Sequence, residues 1–111
     1  MQQITLDDIF SALAHEHRRE IVLALGYRPH SISSLAEMRG LSLPAIHKHV
    51  TGLERAGFVQ RRKVGRTNYL ALRRDGLRAA QTWLSQFHTD WGHDDETLDN
   101  YADYLTKGEE Q

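Results

Sequence analysis

The chain has 111 residues, no cysteine, seven histidines and a formal net charge of −1. That length fits one domain, and the absence of thiols excludes disulfides, zinc–thiolate sites and thiol redox switching. The opening stretch MQQITLDDIFSALA carries Asp7 and Asp8 and no long apolar run. It reads as neither a signal peptide nor a membrane span, so the expected location is the cytoplasm, with no membrane partner.

Thr5 begins a first helix, with Asp8 three residues on completing a capping-box pattern. Ile9, Phe10 and Leu13 supply its apolar face. A second helix follows in HRREIVLALG, with Ile21, Val22 and Leu25 inward and Gly26 as its stop. YRPHS reads as a turn. SSLAEMRG is a short third helix, capped by Ser33 or Ser34 and closed by Gly40. Ser42 caps the fourth, and Pro44 sits in its first turn, where a missing N–H costs little. Gly57 ends that helix as a left-handed C-terminal residue. FVQRRKV and TNYLAL are β-like runs flanking Gly65 and Arg66, and they read as a hairpin. From about Asp75 onward the pattern is helical.

Ala36, Gly40 and Ile46 have the spacing of a helix-turn-helix. Small Ala36 permits close approach, Gly40 accepts the positive φ of the turn, and Ile46 fills the space between the helices. The hairpin that follows directly makes this a winged helix. The expected fold is mainly α with a small β-hairpin: a winged helix-turn-helix over residues 1–74, then a C-terminal helical dimerisation segment over 75–107 of the same domain. Residues 108–111 are expected to form a disordered tail.

Charge is unevenly distributed. Residues 43–73 carry seven Lys/Arg and only Glu54 as an acid, whereas residues 90–111 carry eight acids and one Lys. Two surfaces with different partners are implied. In the fourth helix, at about 100° per residue, Ile46, Val50 and Leu53 form the buried stripe. Pro44, Lys48, Thr51 and Arg55 point the opposite way. His47 and His49 flank the stripe, roughly 160° apart, too far round the helix to chelate one ion. The same objection weakens His15 and His17. His47, nearer the N-terminal end that enters a major groove, is the better candidate for a base edge. His49 either packs or touches a phosphate.

Lys48, Arg55, Arg61, Arg62, Lys63 and Arg66 form a basic crest of the kind that displaces DNA counterions. Arg66 at the hairpin tip suits a narrow minor groove. With Ser42, Pro44, His47 and Thr51 these are the candidate DNA-binding residues, and double-stranded DNA is the expected partner.

Leu77, Leu84, Trp91, Leu98 and Leu105 are spaced by seven, and Ala80, Phe87 and Tyr101 sit three further on. This is a coiled-coil-like seam, broken only at Asp94. Because the heptad phase survives across Gly92, Asp94 and Asp95, one long helix kinked at Gly92 is expected to carry a dimer seam whose early part contacts the body. The alternative is two helices with a break at 92–95.

The stretches FSALAHEHRREIVLAL and SISSLAEMRGLSLPAIHKHVTGLERAGFVQRRKVGRTNYLAL, with the helix after them, resemble the ArsR family of bacterial winged-helix repressors over roughly residues 6–91. The resemblance implies a homodimer, paired through its first and last helices, that binds a palindromic operator. Many such proteins release DNA on binding a metal or small effector. Here SISSLAEM stands where the family's thiolate sensor sits. His88, Asp90, His93 and Asp94 are grouped differently from its last-helix sensor; only Asp90 and His93 have helical spacing. Leu43 replaces a common Gln and His47 a common small hydroxyl residue. The expected function is a sequence-specific DNA-binding transcriptional regulator, a homodimeric repressor with no cofactor and no resident metal. An effector- or metal-responsive repressor using the acidic, histidine-bearing C-terminus is one alternative. A winged helix used for protein contacts is the other. No nucleophile–base pair, phosphate loop or metal triad assembles at catalytic spacing, so an enzyme is not expected.

Overall fold

The structure, a computed structural model, describes residues 3–88 and 90–109. Its elements are α1 (Leu6–Ala12), α2 (Glu16–Tyr27), β1 (His30–Ser31), α3 (Ile32–Arg39), α4 (Leu43–Arg55), β2 (Val59–Val64), β3 (Thr67–Leu72), α5 (Asp75–Ser85) and α6 (Thr97–Glu109). The strands form an antiparallel sheet in the order β1-β3-β2. No helix among the described residues is long and apolar enough to cross a membrane.

Local chemistry fixes the helix ends. Thr5 and Asp8 form the reciprocal capping box, Thr5 N donating to Asp8 Oδ2 at 3.0 Å and Asp8 N to Thr5 Oγ1 at 3.1 Å. These bonds hold the Asp8 carboxyl below its ordinary pKa. α2 runs one residue past Gly26 and stops before Pro29, because a residue preceding proline is disfavoured in the α region. Ser31, not Ser33 or Ser34, caps α3, accepting from Ser34 N at 3.1 Å. Ser42 caps α4, accepting from Ala45 N at 3.3 Å. α3 and α4 end in the same device. Leu41 N donates to Ala36 O and Gly40 N to Glu37 O; Phe58 N donates to Leu53 O and Gly57 N to Glu54 O. Each pair of bonds closes around a glycine of positive φ, Gly40 at 64° and Gly57 at 81°.

The YRPHS turn contains β1, whose His30 pairs with Leu70. A two-residue strand is too short to show alternation in sequence. The core centres on Ile46, Val50 and Leu53 of α4, enclosed by Ile21, Leu35, Phe58, Val59 and Leu70.

The single helix expected over 75–107 is instead two, α5 and α6, separated by residues 86–96. Gly92 has φ 95°, outside any right-handed helix. Glu96 accepts from His93 N at 3.1 Å, Thr97 Oγ1 donates to His93 O at 3.0 Å, and the Asn100 amide donates to Trp91 O. The heptad phase nevertheless has a physical cause. Trp91 stacks edge-on against Tyr101 and Tyr104, with centroids 5.1 and 5.3 Å away, so the loop residue is held by the face of α6 itself. Leu77 packs against the core and Ala80 is buried in it, so these two seam positions serve the protomer's interior. α6 also continues through Gly108 to Glu109, where a disordered tail was expected; residues 110 and 111 lie outside the described residues.

α5 starts against the corner between α4 and β2. Gly76 N donates to Gly57 O at 3.0 Å. A Cβ on Gly76 would lie 2.7 Å from the Ala56 carbonyl oxygen and 3.0 Å from the Phe58 ring. Backbone and a fully enclosed ring have little room to yield. Gly76→Ala is therefore expected to destabilise the fold by about 1–3 kcal/mol, read as a lower urea midpoint; an unchanged midpoint would show that the corner relaxes freely.

Candidate nucleic-acid interface

α4 buries Ile46, Val50 and Leu53 and turns its other face outward. Ser42, Pro44, Lys48 and Arg55 are exposed there, and His47 and Thr51 half-buried. His47, Lys48, Thr51 and Arg55 line a surface cleft of about 440 Å³, and no acid lines it. The hairpin adds Arg62, Lys63 and Arg66, all exposed, with Lys63 opposite Asn68 and Val64 opposite Thr67 beside the Gly65–Arg66 tip. Arg61 differs. It faces α4 and pairs with Glu54, Nη2 to Oε1, at 2.7 Å. Lys48, Arg55, Arg62, Lys63 and Arg66 form no ion pair among the described residues. Of the six candidate DNA-binding arginines and lysines, only Arg61 thus meets an acid among the described residues, and it ties the wing to the helix.

His47 and His49 part company as the helical geometry requires. His47 faces the cleft. His49 turns toward α2, its ring 5.5 Å from that of His15 and 5.6 Å from that of His17. Arg18 Nε donates to His49 Nδ1 at 3.2 Å, and Arg39 Nε donates to His17 Nδ1 at 3.0 Å. Each arginine requires its histidine to keep a lone pair on Nδ1. Burial, then the nearby charges of Arg18, His17, His15 and Lys48, push the pKa of His49 down from its ordinary value. Among the described residues no three His, Asp or Glu side chains come together as a metal-binding group, at this cluster or around His88, Asp90, His93 and Asp94.

Arg18 is the cation that sequence reasoning missed on this face. Its guanidinium lies over Gly52, where a Cβ would sit 2.7 Å from Cζ. A glycine inside an otherwise strong helix was the signal, since such a residue marks close approach.

A trihelical core, a capped reading helix with a basic outer face and a two-stranded wing define a winged-helix DNA-binding protein. The helix-turn-helix domain family model matches residues 13–62. Among solved structures the chain is 33% identical to an ArsR family transcriptional regulator, with a TM-score of 0.69, covering 73% of this chain and 84% of that one. It is 28% identical to HlyU from Vibrio cholerae, with a TM-score of 0.61 and coverage of 71% and 86%. With NolR from Sinorhizobium fredii the identity is 25%, the TM-score 0.60 and the coverage 78% and 95%. No curated protein matches significantly. The chain belongs to the ArsR family of transcriptional regulators, and its general role is that of a DNA-binding regulator.

The His49 environment has a pH consequence. The unfolded chain protonates this imidazole near its ordinary pKa of 6.5, whereas the native site resists protonation to lower pH. The unfolded state therefore binds more protons in that window, and stability falls as pH drops through it, levelling off below the native pKa. His49→Gln is expected to give a shallower decline in urea midpoint between about pH 7 and 5; an identical slope in both proteins would refute the assignment.

Proposed function

We propose that the protein is a homodimeric repressor that recognises a palindromic operator, placing α4 in the major groove and the β2–β3 wing on the flanking backbone and minor groove. The observation that carries this reading is the set of exposed cations on two successive elements, Lys48 and Arg55 on α4 and Arg62, Lys63 and Arg66 on the wing, without carboxylate partners among the described residues. On this reading Ser42, Pro44, His47 and Thr51 meet the groove, and His47 reads a base edge. Arg61 acts through the wing's attachment to Glu54 as well as through its charge.

The pairing surface proposed is the face shared by α1 and α5. Phe10 and Trp83 meet edge-on at 5.6 Å and Trp83 and Phe87 at 4.7 Å, while Leu84 and Phe87 remain 57% and 64% exposed. The Cα radius of gyration, 20.6 Å, against roughly 13 Å for a compact chain of this length, also favours a second copy. On the same reading the exposed Leu98, Tyr101 and Leu105 of α6, with Trp91 of the preceding loop packed on Tyr101, offer a second apolar surface to the partner copy.

Two experiments test the reading. Lys63→Ala should weaken binding to operator and scrambled DNA alike and lower the salt slope by about 0.9 per protomer contact. His47→Ala should weaken the operator complex by about 1–3 kcal/mol and scrambled DNA much less; equal loss on both DNAs would make His47 a packing or phosphate residue. Leu84→Asp combined with Phe87→Asp changes only exposed side chains, so the protomer should fold. Sedimentation should show monomers with sharply reduced operator affinity, and a double variant that stays dimeric would remove the α1–α5 face from the proposal.

A further inference from the structure

Arg18 sits in the first turn of α2, yet its side chain ends on α4. Nε is engaged by His49 Nδ1 at 3.2 Å, and Nη1 and Nη2 have no partner among the described residues. The guanidinium rests over Gly52 and lines the acid-free cleft together with Lys48, Thr51 and Arg55. Arg18, Lys48 and Arg55 thus line one cleft of about 440 Å³ that contains no carboxylate, while Asp8 lines the neighbouring cleft bounded by Arg18 and Arg55 and forms an ion pair with neither. Like charges so placed repel unless an anion enters. With Nε anchored, the paired Nη groups present the fork that binds two oxygens of one anion, which a lysine cannot do. Thr51 supplies a hydroxyl donor beside it.

We infer that Arg18, presented through the gap at Gly52 and oriented by His49, forms with Arg55 and Lys48 a clamp for one DNA backbone phosphodiester beside the groove occupied by α4. This rests on the DNA-binding face proposed above and adds to it a residue from outside the helix-turn-helix and wing. The clamp fixes the roll of α4 in the groove, because its arginine comes from a different helix. A phosphate contact carries no sequence information, so its loss must affect all duplexes equally.

Gly52 separates this role from a structural one. Alanine in a helix interior is favoured over glycine, and the atoms that its Cβ meets, Cζ and Nη1 of Arg18 at 2.7 Å, belong to the far end of a flexible side chain. Gly52→Ala should therefore displace the guanidinium without loss of thermal stability. Full-length wild type, Arg18→Ala, Arg18→Lys, Gly52→Ala and the Arg18→Ala/Gly52→Ala double variant are titrated with a random-sequence duplex and with the DNA upstream of the protein's own gene, at several salt concentrations. Arg18→Ala should weaken both duplexes about tenfold and lower the salt slope by about 0.9 per protomer. Gly52→Ala should match it while melting no lower than wild type. The double variant should be no worse than Arg18→Ala, and Arg18→Lys should fall between.

If the wild type binds both duplexes and Arg18→Ala and Gly52→Ala bind them with unchanged affinity and slope, the clamp is refuted while the DNA-binding face stands; a wild type that binds neither overturns both. The source of the phosphate is read from the Arg18 Nε–H resonance in NMR. Duplex DNA should shift it, and inorganic phosphate alone, against chloride of equal ionic strength, should not. An equal shift with inorganic phosphate would mark a small-anion pocket and overturn the duplex assignment.

Discussion

One helix has to be buried along one stripe and bare along the opposite one, and the rest of the molecule follows from that requirement. Ile46, Val50 and Leu53 of α4 are fully enclosed, while Pro44, Lys48 and Arg55 on the outer face are exposed. Hydrophobic burial supplies the driving force on the inner side. It is directionless, however, and would equally bury the outer side if elements were available to cover it. The charges of Lys48 and Arg55 make such covering unfavourable, since removing an unpaired cation from water is expensive. The helix is thus held on one side by packing and kept open on the other by charge.

The neighbours of α4 are joined to it at short range. The turn at Gly40 sets α3 against it, and the glycine cap at Gly57 passes the chain directly into β2. Gly57 and Gly76 then allow α5 to begin against the same corner. The wing inherits its position from this corner and from the Arg61–Glu54 pair, which joins β2 to α4 across a half-buried gap. Such a pair contributes little to stability at the surface, but it restricts where the wing's remaining cations stand. The two close glycine contacts differ in kind. At Gly76 the neighbours are a carbonyl and an enclosed ring, whereas at Gly52 the neighbour is the tip of an arginine.

On the side of α4 facing α2, two arginine–histidine bonds repeat one motif, Nε to Nδ1, linking α2 to α4 through Arg18 and α3 to α2 through Arg39. Three imidazoles gather between them. Neutral rings accept these bonds and protonated rings cannot. At His49 burial and the neighbouring cations oppose protonation, so the ring that Arg18 requires as an acceptor is the form this junction favours.

Several features were legible in the sequence because they depend on neighbours a few residues apart. The Thr5–Asp8 box, the Ser42 cap with Pro44, the glycines at 40 and 57, the α4 stripe and the hairpin all obey local rules of backbone geometry and helical period. The winged-helix fold followed from their order, and the family from the residues that carry them. The sequence by itself could also separate His47 from His49, because about 100° per residue puts them on different flanks. Tertiary structure alone decided the rest. Strand β1 exists only because β3 lies beside it. The heptad phase of Trp91 could equally mean a seam or, as found, a ring held by Tyr101 and Tyr104 across a broken helix, since periodicity records which face a residue needs and not what covers it. Arg61 and Arg62 are adjacent in sequence, yet only Arg61 meets a carboxylate, because strand alternation turns one toward α4 and the other away. Arg18 lies 31 residues from His49, and no local rule reaches that far: its place over Gly52 was fixed when α2 and α4 packed.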